Sequence, residues 1–166
     1  WVNLPAADKL GAPRYRDVSR EELASSRGSG FAATAIAGCW QLVGEGGGET
    51  AVHGPLEELE ERAGVLDLSL QPGAALDLGT HSTESAIGFV YDGAVVHHNA
   101  SVGSGRLLIT DGGERWRLQA GPDGADILLL RGRPLREPVV HYGPFVMNTA
   151  GEIEQAIRDF RAGQFA

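Results

Sequence analysis

Apolar and polar positions alternate through the second half of this chain. Leu66, Leu68 and Leu70 are separated by Asp67, Ser69 and Gln71, and a period of two marks a strand with one buried face. Gln71-Pro72-Gly73 is a turn, and residues 75–78 resume the apolar run. Residues 87–91 and 94–98 flank Asp92-Gly93, a dipeptide that predicts a tight hairpin between two strands. Residues 106–110, 116–119, 121–124, 126–130 and 138–142 repeat the scheme. Short strands thus recur about every 8 to 12 residues, with Gly or Pro between them. This texture predicts an all-β sandwich or barrel.

Before residue 64 the pattern is looser. Residues 31–43 form a long apolar run, which predicts one strand or two with a break at Gly38. Residues 19–23 read as one helical turn, and the small residues at 25–30 predict a mobile stretch. Residues 1–4 are extended up to Pro5, and residues 14–18 are a further short strand. Residues 55–62, PLEELEER, predict a solvated turn of helix whose carboxylates Glu57, Glu58, Glu60 and Glu61 face water.

The period changes from two to 3.6 only near the end. Thr149 and Glu152 form the S/T-x-x-E pattern of a capping box. Ile153, Ala156, Ile157 and Phe160 follow at i, i+3, i+4 and i+7 and make one apolar stripe. Glu154 and Arg158 are spaced i,i+4, acid before base, and Gly163 stands where a left-handed cap residue ends a helix. A helix of about 13 residues, roughly 20 Å long, is expected.

Composition narrows the function classes. The 166 residues fit one domain able to bury its own core. The net charge of −8 repels phosphate, which argues against direct nucleic-acid binding. Cys39 is the only cysteine, so no disulfide forms within the chain. Beside Trp40 it reads as a small buried residue rather than a catalytic thiol. The loop at 44–50, GEGGGET, lacks the G-K-[ST] ending and the following helix of a phosphate loop. No signal peptide or membrane-length apolar run is visible, so a cytoplasmic location is expected. The first residue is Trp, so a processed product or a piece of a longer reading frame is expected.

Two ends of the chain carry a family resemblance. Tyr142-Gly143-Pro144-Phe145-Val146-Met147-Asn148-Thr149 is similar to the YGPFVMNT signature of the pirin family. Leu128-Leu129-Leu130-Arg131-Gly132-Arg133-Pro134-Leu135, followed by Glu137-Pro138-Val139-Val140, resembles its LLLxGxPLxEPV segment. Trp1-Val2-Asn3-Leu4-Pro5 with Pro13-Arg14-Tyr15 resembles the WVNLPxxxK…PRY segment that opens the second half of a pirin. Pirins are bicupins, and the resemblance covers only the C-terminal barrel. It implies a cupin, a double-stranded β-helix or jelly-roll barrel, over residues 1–148, with residues 1–18 a linker-like entry and residues 149–163 a C-terminal α-helix.

The resemblance also frames the chemistry. Cupins commonly hold one iron, manganese, nickel or zinc ion through His-x-His, a Glu and a third His. The nearest match here is Gly79-Thr80-His81-Ser82-Thr83-Glu84, with Thr83 in the place of the second His. His81 and Glu84 are three apart and fall on opposite faces of a strand, as do the neighbours His97 and His98. His81, Glu84 and one of His97 or His98 are therefore the candidate ligands of a site that is not expected to form. The resemblance implies that the metal belongs to the N-terminal barrel of a pirin and that this half carries no cofactor. The alternative is one divalent metal such as iron and a quercetin 2,3-dioxygenase-like reaction. The implied partner is an N-terminal pirin-like cupin domain or a second copy of the chain. Ile153, Ile157, Phe160 and Phe165 are the candidate interaction surface. His141 is expected to be partly buried, His53 to lie in a solvated loop, and Arg131, Arg133 and Arg136 to lie on a solvated hairpin.

Overall fold

A computed structural model describes residues 2–12, 15–56, 63–97, 100–111 and 113–164. These gather into two compact units, residues 18–134 and a second made of residues 1–17 with 135–166. Among the described residues no helix is long and apolar enough to cross a membrane.

The larger unit is built from β1 (Ala24–Gly28), β2 (Phe31–Ala37), β3 (Cys39–Gly44), β4 (Glu49–His53), β5 (Ala63–Leu70), β6 (Ala75–Gly79), β7 (Ser85–His97), β8 (Ala100–Gly103), β9 (Arg106–Asp111) and β10 (Arg115–Gly132). Described residues of all ten join one sheet. The organising strand is β10. Its residues 125–132 pair with β5, residues 115–119 pair with β6, and its other side pairs with β7. One long strand thereby serves two neighbours in succession, and the antiparallel sheet curls into the expected jelly-roll barrel.

The alternation read from β5 holds: Leu66 and Leu68 are fully buried and Leu70 nearly so. Trp40, Leu42, Leu76 and Leu129 meet them in the same core. Burial of each large side chain contributes about 1.5–3 kcal/mol. The break at Gly38 also holds, because a left-handed φ of 75° there separates β2 from β3.

Four expectations need correction. Asp92-Gly93 is not a hairpin turn; β7 runs through it as one strand of 13 residues. Gly93 has φ 65° and lies so close to Gly124, itself at φ 88°, that a Cβ would meet the Gly124 carbonyl oxygen at 2.2 Å. The two glycines bend paired strands at one point, with shifts in the register of β7 on β10, as β-bulges do. For the same reason residues 116–119, 121–124 and 126–130 belong to a single strand. Residues 25–28, expected to be mobile, lie in β1 and pair one-for-one with β2, so a tertiary pairing overrides weak local propensity. Residues 15–18 hold no strand. The helical turn at Arg20–Glu22 is present as a 3-10 turn with a Ser19–Glu22 capping box. Residues 57–62 of the expected acidic turn lie outside the described residues.

The smaller unit holds a hairpin, β11 (Val140–Tyr142) and β12 (Phe145–Met147), and the helix α1 (Ala150–Arg161). Thr149 caps α1 with both arms of the capping box in place, and Gly163 has the left-handed φ of 73°. Ile153 and Ala156 bury against Met147, with Val140, Phe145 and Ile157 packed beside them.

Candidate functional site

One half-buried polar cluster of the barrel surrounds the turn from β6 to β7. The turn from β6 to β7 closes when the Glu84 N–H donates to the His81 carbonyl at 2.9 Å. The Glu84 carboxylate accepts the His81 N–H at 3.2 Å and an Arg131 guanidinium N–H at 2.8 Å. Both side chains of this ion pair are close to nine-tenths buried. Arg131 also donates to the Cys39 carbonyl and lies 4.9 Å over the Trp40 ring. Gly64 makes the stack possible, since a Cβ there would meet Trp40 at 2.9 Å and the Arg131 stem at 3.0 Å. Arg131 is therefore not on a solvated hairpin. It continues the inward parity of Ile127 and Leu129 at the end of β10, a signal present in the sequence.

Strand register brings together another pair that sequence distance hides. Cys39 is opposite His53 across β3 and β4, with Sγ 3.6 Å from Nε2. Cys39 is half-buried, and His53 ends a strand instead of lying in a loop, with its side chain exposed.

Of the candidate metal ligands, His81 and Glu84 share one turn, but no third described ligand joins them. His81 is exposed and its Nδ1 accepts the Thr83 N–H at 3.2 Å, with the Thr83 hydroxyl at 2.8 Å. His97 ends β7, whose 13 residues begin beside Glu84 and span about 40 Å of chain at 3.3 Å per residue. His98 lies outside the described residues. Among the described residues no three His, Cys, Asp or Glu side chains gather as a metal set. Among the described residues the inward positions carry Leu, Val, Ile and Trp side chains packed in one core. A Cβ at Gly88 would meet Trp116 at 3.0 Å, Leu129 at 3.2 Å and Ile127 at 3.5 Å. Among the described residues, neither the donor set nor the space beside Gly88 fits a cupin metal.

A curled antiparallel barrel followed by this hairpin and helix matches one family model, the pirin C-terminal cupin domain, over residues 65–166. The chain belongs to the pirin family. A Vibrio cholerae relative, named as a candidate quercetin 2,3-dioxygenase, is 36% identical over 168 residues, covering 99% of this chain and 57% of its own. Pirin from Homo sapiens is 30% identical over 173 residues, covering 97% of this chain and 54% of its own. The crystal structure of a quercetin 2,3-dioxygenase from Acinetobacter baumannii aligns over the whole chain at 28% identity and a TM-score of 0.81, covering 55% of that chain. The chain thus spans little more than half the length of these relatives.

The smaller unit shows what the pirin signature does locally. Glu137 accepts the Ala6 N–H and the Asn148 side-chain amide on one carboxylate oxygen, each at 2.8 Å. Glu152 accepts the N–H groups of Asn148 and Thr149 at 3.0 and 2.7 Å. The Thr149 N–H is the leading reason that the Glu152 carboxyl is held below its ordinary range. Asn148, Thr149 and Glu152 therefore set the entry of α1. On the expected stripe, Ile153 is buried and Ile157 half-buried, while Phe160 is exposed with an edge-to-face contact to Phe145, centroids 5.9 Å apart. Phe165 lies outside the described residues. His141 is exposed, not partly buried. Its strand neighbour Val140 faces the helix, so parity turns His141 away, into a shallow groove with Val139, Pro144 and Val146.

Proposed function

We propose that this chain works as the structural and interaction half of a pirin-type protein, a cupin barrel that carries no metal of its own. The observation that carries this reading is the filled interior, where Leu, Trp and Ile side chains occupy the inward positions a ligand set would need. Its partner is a metal-bearing cupin barrel, and its own Glu84 serves Arg131. Elemental analysis of protein purified without chelator or nickel affinity tests this. Less than a tenth of an equivalent of any transition metal is expected; about one equivalent per chain overturns the reading.

The names of the Vibrio and Acinetobacter relatives favour a second reading, flavonol 2,3-dioxygenation. On this chain it requires a site from His81, Glu84 and His97 or His98, of which His98 lies outside the described residues. Flavonol consumption by the purified chain that disappears in His81→Ala would favour this reading over the first.

A further inference from the structure

Two strands hold a thiol and an imidazole together. Cys39 opens β3 and His53 ends β4, and the register sets them directly opposite each other. Sγ lies 3.6 Å from Nε2, within hydrogen-bond reach for sulfur. The backbone on either side fixes this pair. Just past it the Gly54 N–H donates to the Gly38 carbonyl at 2.9 Å, and Ala37 bridges Leu56. Gly54 approaches β2 so closely that a Cβ would meet Ala37 at 2.6 Å, so the exit of β4 is pinned against the turn that leads into β3. Two residues along β3 from the thiol, the Gln41 side-chain amide donates to Sγ at 3.9 Å. Gln41 itself packs on Gly79, where a Cβ would meet its own Cβ at 2.9 Å. The Arg131 guanidinium donates to the Cys39 carbonyl, but Glu84 answers that charge, which leaves the imidazole as the group that acts on the sulfur.

We propose that Cys39 is a redox-sensitive thiol, oxidised by small hydroperoxides to a sulfenic acid while His53 moves the proton. The thiolate is the nucleophile in this chemistry, and a base within hydrogen-bond reach supplies it. The thiol proton passes to His53 Nε2. A sulfur lone pair then attacks the nearer oxygen of the hydroperoxide ROOH, and the O–O bond breaks. The proton held on Nε2 goes to the leaving oxygen. The products are a sulfenic acid at Cys39 and ROH, which is water when the oxidant is hydrogen peroxide; the sulfur is oxidised and the peroxide reduced. The Gln41 amide offers a donor to the negative charge on sulfur before attack. Cys39 is the only cysteine in the sequence, so the sulfenic acid has no thiol in the chain to condense with. A small external thiol closes the cycle, forming a mixed disulfide with release of water. Cys39 is half-buried, which suits an oxidant of two or three heavy atoms better than a bulky electrophile. By its sequence neighbour Trp40 the thiol reads as a packing residue; the imidazole that changes its chemistry arrives only through the register. This proposal goes beyond the reading above and does not depend on it.

Hydrogen peroxide, with saturating dimedone as the trap for sulfenic acid, tests it on freshly reduced chain. The adduct is followed by intact mass and located by peptide mapping. One adduct, at Cys39, is expected on the wild type and none on Cys39→Ser. The same chain unfolded in urea is the reference, since it carries an identical thiol with no imidazole held beside it. Folded Cys39 should react about 10-fold faster than unfolded Cys39 despite its partial burial. His53→Gln keeps a polar side chain at the exposed end of β4 and should slow the folded reaction by about 10-fold, with circular dichroism unchanged. His141→Gln, in the smaller unit, should leave the rate as it is. The folded-to-unfolded ratio needs no substitution, so it decides the matter even where His53→Gln disturbs β4. A folded thiol that reacts no faster than the unfolded one, or a rate that His53→Gln does not lower, overturns the proposal.

Discussion

Replacing Glu84 or Arg131 asks what the polar cluster at the turn from β6 to β7 is for. The two side chains are 11% and 13% exposed and 2.8 Å apart. Breaking a buried pair of this kind by removing one partner costs about 3–5 kcal/mol, because the survivor keeps its charge without compensation. Arg131 would retain the Cys39 carbonyl and the Trp40 face, a cation–π contact of ~1–2 kcal/mol. Glu84→Leu should therefore cost about 2–4 kcal/mol. Arg131→Met strands the carboxylate with the His81 N–H as a remaining donor and should cost about 3–5 kcal/mol. The double variant removes both charges and should be less damaged than the sum of the singles by about 2–3 kcal/mol. Urea unfolding of the four proteins at neutral pH, followed by circular dichroism, measures this cycle, provided the slopes agree. Singles within 0.5 kcal/mol of wild type, or a cycle that adds, would refute a structural role for the pair. A Glu84→Leu protein of unchanged stability but altered metal content would instead return Glu84 to the ligand set.

Thr149→Ala should destabilise the smaller unit by about 1 kcal/mol, seen as a lower melting temperature by far-UV circular dichroism. The capping carboxylate adds a pH dependence. Glu152 has a folded pKa below its unfolded value, so its contribution is complete above about pH 4.3. That contribution fades as pH falls through the lower folded value. Glu152→Gln should flatten that acid limb of a stability–pH curve. Gly93→Ala should cost at least about 2 kcal/mol in chemical unfolding, since it combines a left-handed φ with a Cβ 2.2 Å from the Gly124 oxygen. A loss under 0.5 kcal/mol would mean that the bend is not held by that glycine contact.

The parts of the molecule set by local chemistry could be read from the sequence. The capping box, the helix length, the break at Gly38 and the alternation of β5 depend on neighbours one to four residues away. The parts set by register could not. Asp92-Gly93 has the residues of a hairpin, but whether a glycine at positive φ reverses a strand or bends it depends on what pairs with it. Here Gly124, thirty-one residues later, supplies the matching bend. Cys39 and His53 are fourteen residues apart in sequence and opposite each other in the sheet. Arg131 was legible by parity, since it follows Ile127 and Leu129 by steps of two, but the two neighbouring arginines at 133 and 136 drew it into a solvated run.

One relation joins the filled interior to the apolar exterior. Here β5, β6 and β3 send Leu66, Leu68, Leu76, Leu78, Trp40 and Leu42 inward. With that volume taken, β7 has room only for small residues on its inner face, and the contacts a Cβ would make at Gly88 show how little is left. The large apolar residues of β7 consequently stand on the outer face, where Ile87, Phe89 and Tyr91 meet Leu107 and Ile109. Alternation fixes the exchange, because a strand's two faces are filled from the same run of residues. The residue pattern that fills the inner face of β7 also leaves large apolar side chains on its outer face. Filling and exposure are thus coupled on this strand. Opening the interior by Trp116→Ala should let Gly88→Ala be accommodated at little further cost, whereas in the native core Gly88→Ala alone should cost about 1–3 kcal/mol. Equal costs for Gly88→Ala in the two backgrounds, measured by urea unfolding, would show that the interior does not set the size pattern of β7.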